Sequence, residues 1–171
     1  VKFIQQLLEV NKEDLPEIYC DMDQVLCNFM KGADKAVGEP FIYADRVDRW
    51  KKISNTKNFW ANLEWMPGAK RLYMRIEKYN PHILSAYSDR DNNSRAGKMK
   101  WLSRNTNFKR GRIHLVKRAQ KKDYATTDGK PNVLIDDYIK NIKEWESNGG
   151  IGVHHTSVSK TMGELNRLGF K

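Results

Sequence analysis

Cysteine is scarce in this chain: two residues in 171, Cys20 and Cys27. They form no Cys-x-x-Cys pair and supply too few ligands for a zinc site, so they read as two reduced, partly buried thiols. Long apolar runs are missing as well. None approaches the roughly 20 residues that a membrane helix needs. The opening segment VKFIQQLLEV lacks the apolar stretch and small-residue cleavage site of a secretory signal and reads as a short amphipathic helix. A soluble, cytoplasmic protein with no membrane partner is the expectation. There is no internal repeat, no low-complexity segment and no purely basic tail.

What is present is a globular composition, 39% hydrophobic and 30% charged, in a length that suits one domain with a small insertion. The net charge is +10, with basic density in Lys98–Arg112 and Arg118–Lys122. A positive field attracts phosphomonoesters, nucleotides or nucleic acid. A solvated basic surface explains the same charge equally well.

Five short apolar runs read as strands: Ile18–Cys20, His82–Ala86, Ile113–Val116, Val133–Ile135 and Ile151–His154. None alternates cleanly with polar residues, as expected of strands covered on both faces. Helical spacing lies between them, in Lys70–Tyr79, Asn92–Thr106, Tyr138–Ser147 and Ser157–Leu168. Asn80-Pro81, Asp128-Gly129-Lys130-Pro131 and Asn148-Gly149-Gly150 mark turns. Strands alternating with helices predict a parallel sheet wrapped by helices, with ligands outside the carboxyl ends of the strands. The stretch from Asn28 to Pro67 carries no convincing strand but many aromatic residues. It is too long for a simple connection and reads as a small helical insertion above the end of the first strand.

Two acidic pairs follow strands. Asp21 and Asp23 come directly after Ile18–Cys20, and Asp136 and Asp137 after Val133–Ile135. Residues two apart on an extended chain point the same way, so Asp21 and Asp23 can face one crevice. Crowded carboxylates repel unless a proton or a cation holds them, and a hard dication such as magnesium is the simplest holder. The alternative is a pair of strands ending in solvated acids. The histidines offer less. His154 and His155 are adjacent, so on a strand they face opposite sides, and they read as structural together with His82 and His114.

The run Ile18-Tyr19-Cys20-Asp21-Met22-Asp23-Gln24-Val25-Leu26 resembles the first motif of the haloacid dehalogenase superfamily, and Leu134-Ile135-Asp136-Asp137 resembles its fourth. His82-Ile83-Leu84-Ser85 fits the second motif, and the stretch Arg118–Lys122 offers the lysine of the third. The segment Asn58–Ala69 is similar to one in the 5′(3′)-deoxyribonucleotidases of that superfamily, where it closes a small helical cap. One position departs from the pattern: Gln24 stands where many relatives have glycine.

The resemblance implies a three-layer, Rossmann-like α/β fold, with 1–27 and 70–171 as core and 28–69 as cap. It implies a magnesium-dependent phosphomonoesterase acting on nucleoside monophosphates, with Asp21 as nucleophile and Asp23 as general acid and base. It places Mg2+ on Asp21, Asp136 and the backbone carbonyl of Asp23, with Asp137 behind these ligands or as a weaker one. Ser85, the amide of Ala86 and Lys121 would hold phosphate, with Lys122 and then Lys117 as the next choices of lysine. Phe29 and Trp60 would face the nucleobase, or else form the core of the cap. Asn141 would steady the lysine or the acids, or serve as a polar helix residue. A phosphatase of nucleic-acid ends and a catalytically silent nucleic-acid-binding module are the competing readings, and exposed cap aromatics would offer a homodimer contact.

Overall fold

The five apolar runs are strands β1 (Ile18–Cys20), β2 (His82–Ala86), β3 (Ile113–Val116), β6 (Val133–Asp136) and β7 (Ile151–His154), and they form one parallel sheet in the order β3-β2-β1-β6-β7. This computed structural model describes residues 12–171, so the helix expected over Val1–Val10 lies outside the described residues. Side chains alternate between two cores, as the period of a strand requires. Ile18, Cys20, Ile83, Val133 and Ile135 enter the larger core, whereas Tyr19, Leu84 and Leu134 enter a smaller one with Ile142 and Trp145. Both faces of the sheet are therefore covered, which explains the missing polar alternation and gives the three layers.

The Asp128-Gly129 turn does more than end a loop. It joins two short strands that the sequence does not predict, β4 (Thr126–Thr127) and β5 (Lys130–Pro131). Asp128 and Gly129 have φ of 51° and 75°, the left-handed pair that a two-residue hairpin turn needs.

Between β1 and β2 lie α1 (Phe29–Val37), α2 (Arg46–Asn55) and a 3₁₀ turn at Trp60–Asn62. The Asn28 side chain accepts from the Lys31 amide at the start of α1, and Asp45 accepts from Val47 and Asp48 at the start of α2, which satisfies free first-turn donors of both helices. Phe29, Phe41, Trp50, Phe59 and Trp60 pack ring against ring inside the insertion. The helices that cover the sheet are α3 (Ala69–Glu77), α4 (Ser94–Asn105), α5 (Ile139–Ser147) and α6 (Val158–Arg167). Their ends fall within two residues of those expected from apolar spacing.

The parallel pairing of β1 with β6 positions the acids. Cys20 pairs with Ile135, and the Asp21 amide donates to the Ile135 carbonyl at 2.9 Å, so the acids that end the two strands stand level on one edge.

The turn into β7 offers a test of the packing. A Cβ at Gly150 would lie 2.1 Å from Nε1 of the fully buried Trp145. Gly150→Ala is expected to cost about 1–3 kcal/mol by overpacking, read as a lowered urea midpoint; an unchanged midpoint would mean that the turn yields.

Candidate active site

The carboxyl edge of the sheet collects charged groups out of contact with bulk water. Asp21, at the end of β1, is 6% exposed, and Asp136, at the end of β6, is 0% exposed. Between them sits Lys121, 3% exposed, its Nζ 3.1 Å from Asp21 Oδ1 and 2.7 Å from Asp136 Oδ2. Lys121 arrives on a 3₁₀ segment, Arg118–Tyr124, which comes after the edge strand β3. Lys117 and Lys122 are exposed. Of the three lysines considered, Lys121 is therefore the one that reaches the acids.

Asp136 is held from all sides. Its Oδ1 accepts from the Tyr138 amide at 2.9 Å, and its Oδ2 accepts from Asn141 Nδ2 at 3.1 Å. Asn141 is buried and in turn accepts from Arg118, which pairs with Glu144. It is thus a structural support of the acid edge rather than a polar residue on an open helix face.

Asp21 is less saturated. Its Oδ1 accepts from the Met22 amide at 2.8 Å and forms an ion pair with Lys121. Among the described residues, no hydrogen bond engages its Oδ2.

A second lysine reaches the edge with no sequence motif to mark it. Lys98, on α4, is 1% exposed and points into the edge. Its Nζ donates to Asp23 Oδ2 at 2.7 Å and to Ser85 Oγ at 2.8 Å, and it lies 5.3 Å from the centre of the Trp60 ring. The other oxygen of Asp23, Oδ1, is buried without a hydrogen-bond partner among the described residues. Such an atom costs free energy unless a proton or a ligand meets it.

Ser85 is fully buried near the end of β2, and Ala86, half-buried, closes that strand beside it. Trp60 is 3% exposed, and its indole N–H is taken by the buried Asp91 at 2.7 Å. Phe29, half-buried, stacks on it with ring centres 5.4 Å apart. Both rings belong to the packed core of the insertion, which meets the acid edge through Trp60 and Lys98.

A cleft of about 380 Å³ opens between the end of the insertion and the start of α4, bordered by Trp60, Asp91, Gly97 and Lys100. Trp60 borders this cleft and also approaches Lys98. Asp21, Asp23, Asp136 and Asp137 do not line the cleft.

The group best suited to a cation is Asp21, Asp136 and Asp137, whose carboxylate oxygens lie within 4.8 Å of one another. An all-oxygen, multiply charged set of this kind suits a hard dication. The Asp23 carboxylate is not part of this group and is bound to Lys98 instead.

Burial and then the charge of Asp21 raise Asp136 to about 6, against the pull of Lys121. The same two causes, with the charge of Asp136 added, raise Asp137 to about 7. Burial alone would lower Lys121, but the two aspartates outweigh it and hold the ammonium above its ordinary range. One lysine at the centre thus leaves the acids with excess negative charge, which a dication would relieve.

His82 and His114 lie away from this edge, whereas His154 and His155 border it through backbone groups of Asp136 and Asp137. His82 bonds to His114 at 2.9 Å, stacks on Tyr19 with ring centres 4.2 Å apart and accepts from Arg112. His155 is buried against Thr161, and His154 bonds to the Asp137 carbonyl at 2.9 Å.

No family model and no curated protein matches the sequence. Among solved structures, the fold is similar to a hydrolase from Streptococcus pneumoniae TIGR4, with a TM-score of 0.54 and 13% identity over 89% of this chain and 98% of that one. A hydrolase from Pseudomonas syringae superposes with a TM-score of 0.47 at 13% identity over 90% of each chain. The first likeness establishes a Rossmann-like α/β fold of a kind that hydrolases use.

The raised acids give a signed expectation. A carboxyl group whose folded value lies above its unfolded one stabilises the fold at low pH, and the contribution is lost as pH rises from the ordinary carboxylate range through the folded value. Without metal, the wild type should lose melting temperature relative to Asp137→Asn as pH rises from about 4 to about 7, and magnesium should narrow the gap. Parallel melting curves for the two proteins at every pH would contradict the crowding.

Proposed function

We propose that this chain is a magnesium-dependent phosphomonoesterase acting on nucleotide phosphates, in the manner of the 5′(3′)-deoxyribonucleotidases that its motifs resemble. The observation that carries the reading is the pairing at the carboxyl edge: Asp21 beside Lys121, and Asp23 beside Lys98 and Ser85. Acids to attack and to move a proton stand next to cations and a hydroxyl able to receive phosphoryl oxygens, at the place where such sheets bind ligands. A hydrolase fold adds general support.

In this reading Asp21 Oδ2, which no donor among the described residues occupies, attacks phosphorus. The new Asp21–phosphorus bond forms as the bond to the leaving oxygen breaks, and Asp23 Oδ1 supplies the proton that the leaving oxygen needs. Asp23 then takes a proton from the water that cleaves the aspartyl-phosphate, which restores both residues. Ser85, the Ala86 amide, Lys121 and Lys98 are the donors available to the transferring oxygens. Asp21, Asp136, Asp137 and the Asp23 carbonyl would hold magnesium, which when bound supplies positive charge to the phosphoryl group. The helices between β1 and β2 serve as a cap, with Phe29 and Trp60 shaping its inner wall. A nucleoside monophosphate is the first substrate class to test, and a phosphorylated nucleic-acid end is the second, favoured by the charge of +10.

Magnesium-dependent phosphate release should be measured on deoxy- and ribonucleoside monophosphates and on a 3′-phosphorylated oligonucleotide. Asp21→Asn should abolish release, whereas silence of the wild type across the whole panel would end this reading. Lys98→Met should lower kcat by about 10²–10³ with little change in KM, and Lys98→Arg should restore part of it. An equal loss in both variants, accompanied by a lowered melting temperature, would assign Lys98 to folding alone.

A further inference from the structure

The charge of the chain is not spread evenly. Residues 94–124 contain eleven lysines and arginines and a single acid, Asp123, whereas the rest of the chain contains twenty of each sign. The net charge thus resides in one segment, which runs through α4, the edge strand β3 and the 3₁₀ segment after it.

Within that segment four cations are already committed. Lys98 and Lys121 are buried at the acid edge, Arg112 pairs with Glu17, and Arg118 pairs with Glu144. Others are exposed. Arg104, Lys109 and Arg110 lie toward the amino end of β3, and Arg95, Lys117 and Lys122 lie toward its carboxyl end. None of these six belongs to an ion pair among the described residues. Arg95 lies 4.2 Å above the Tyr87 ring and donates to the Leu115 carbonyl, which ties the helix to the strand where both approach the acid edge.

A cationic lane therefore flanks one edge of the sheet and ends beside Lys121. A lane of this kind suits a partner that carries many negative charges in a row. Among the described residues, none of the large exposed hydrophobic side chains lies within 94–124. A face that inserts into a membrane needs apolar side chains between its cations, and a protein-docking face needs apolar or aromatic anchors. A phosphodiester backbone needs neither, because neutralised phosphates and released counterions supply its affinity.

We propose that this edge is a track for the backbone of a nucleic-acid strand and that it delivers a phosphorylated strand end to the acids at the carboxyl edge. The binding claim stands on the segregated charge alone. The delivery of an end rests on the phosphomonoesterase reading.

The test uses a labelled single strand bearing a 3′-phosphate, with binding followed by anisotropy in the absence of magnesium as salt is raised. A triple variant, Arg104→Gln with Lys109→Gln and Arg110→Gln, removes three exposed cations remote from the acids. A control triple, Lys35→Gln with Lys51→Gln and Lys143→Gln, removes the same charge elsewhere, and thermal melts check that both variants are folded. Wild-type affinity should fall steeply with salt. The track variant should bind at least about tenfold more weakly and lose about 2 from the slope of log affinity against log salt, at ~0.7 for each phosphate left without its cation. The control should bind as the wild type does, and release of phosphate from a mononucleotide should be equal in all three.

Equal weakening in both triples would reduce the effect to net charge and overturn the track. So would wild-type binding to anionic vesicles without binding to the strand. Strand binding that depends on the track, in a protein that releases phosphate from nothing, would keep the track and remove the phosphatase. Mononucleotide turnover without strand binding would do the reverse.

Discussion

The structure is organised by the need to hold several carboxylates at one edge of a sheet without bulk water to screen them. The register of β1 on β6 sets Asp21 and Asp136 side by side, and that arrangement is tenable because Lys121 stands between them. Removing one partner from a buried pair typically costs about 3–5 kcal/mol, since the remaining charge has nothing to face. The position of Lys121 is therefore a constraint on everything that delivers it. The 3₁₀ segment Arg118–Tyr124 must come soon after β3, and Arg118 at its start is anchored by Glu144 and Asn141 of α5. Asn141 returns to Asp136, which closes a loop of contacts from acid to lysine segment to helix and back.

Lys98 plays the corresponding part for Asp23 but draws in a different region. Its ammonium touches the acid, the Ser85 hydroxyl and the face of Trp60. Trp60 belongs to the insertion and is fixed by Asp91, which also accepts from the Asn93 amide at the start of α4. The close approach of the insertion to α4 depends on Gly97, where a Cβ would lie 2.4 Å from Trp60 Cβ. The ends of β1 and β2, the first turns of α4 and the 3₁₀ turn of the insertion thus share one buried ammonium. A cation in this position is costly to bury alone, and it is tolerated because each of its neighbours offers negative charge, a lone pair or the electron-rich face of a ring.

Much of this is legible in the sequence because the signals are local. Branched apolar runs mark the strands, the acids after Cys20 and Ile135 mark the strand ends, and Asp128-Gly129 marks a tight turn. Lys98 does not stand out, since it lies among Arg95, Lys100 and Arg104 on a basic helix and looks like one more solvated charge. A signal does exist. Ser94, Lys98, Trp101 and Leu102 fall on one face at helical spacing, and all four are buried. A lysine on the apolar face of a helix needs a partner, but the partner comes from strands that only the fold brings near. Trp60 shows the same limit. Its aromatic neighbours make either a core or a binding face plausible, and the hydrogen bond to Asp91, 31 positions away, is beyond sequence reasoning.

Gln24 shows how a side chain can sit in a turn that favours glycine. It adopts φ of 61°, the left-handed region that favours glycine, at a cost of roughly 1–2 kcal/mol for a residue with a Cβ. Its side chain offsets part of that cost. Gln24 Oε1 accepts from the Met30 amide at 2.9 Å, satisfying one of the first-turn donors of α1 that the helix itself cannot satisfy. A glycine would make the turn with less strain but could not make this bond. The loop that carries Asp23 is consequently tied to the insertion next to the acid, and nearby bonds from Asn28 to Glu64 and from Met66 to Leu26 reinforce the tie. Displacement of α1 relative to the sheet must therefore break these bonds or carry the Asp23 loop with it. Gln24 thus makes a less easy turn than glycine would but supplies a mechanical link between the insertion and the acid that sits against Lys98.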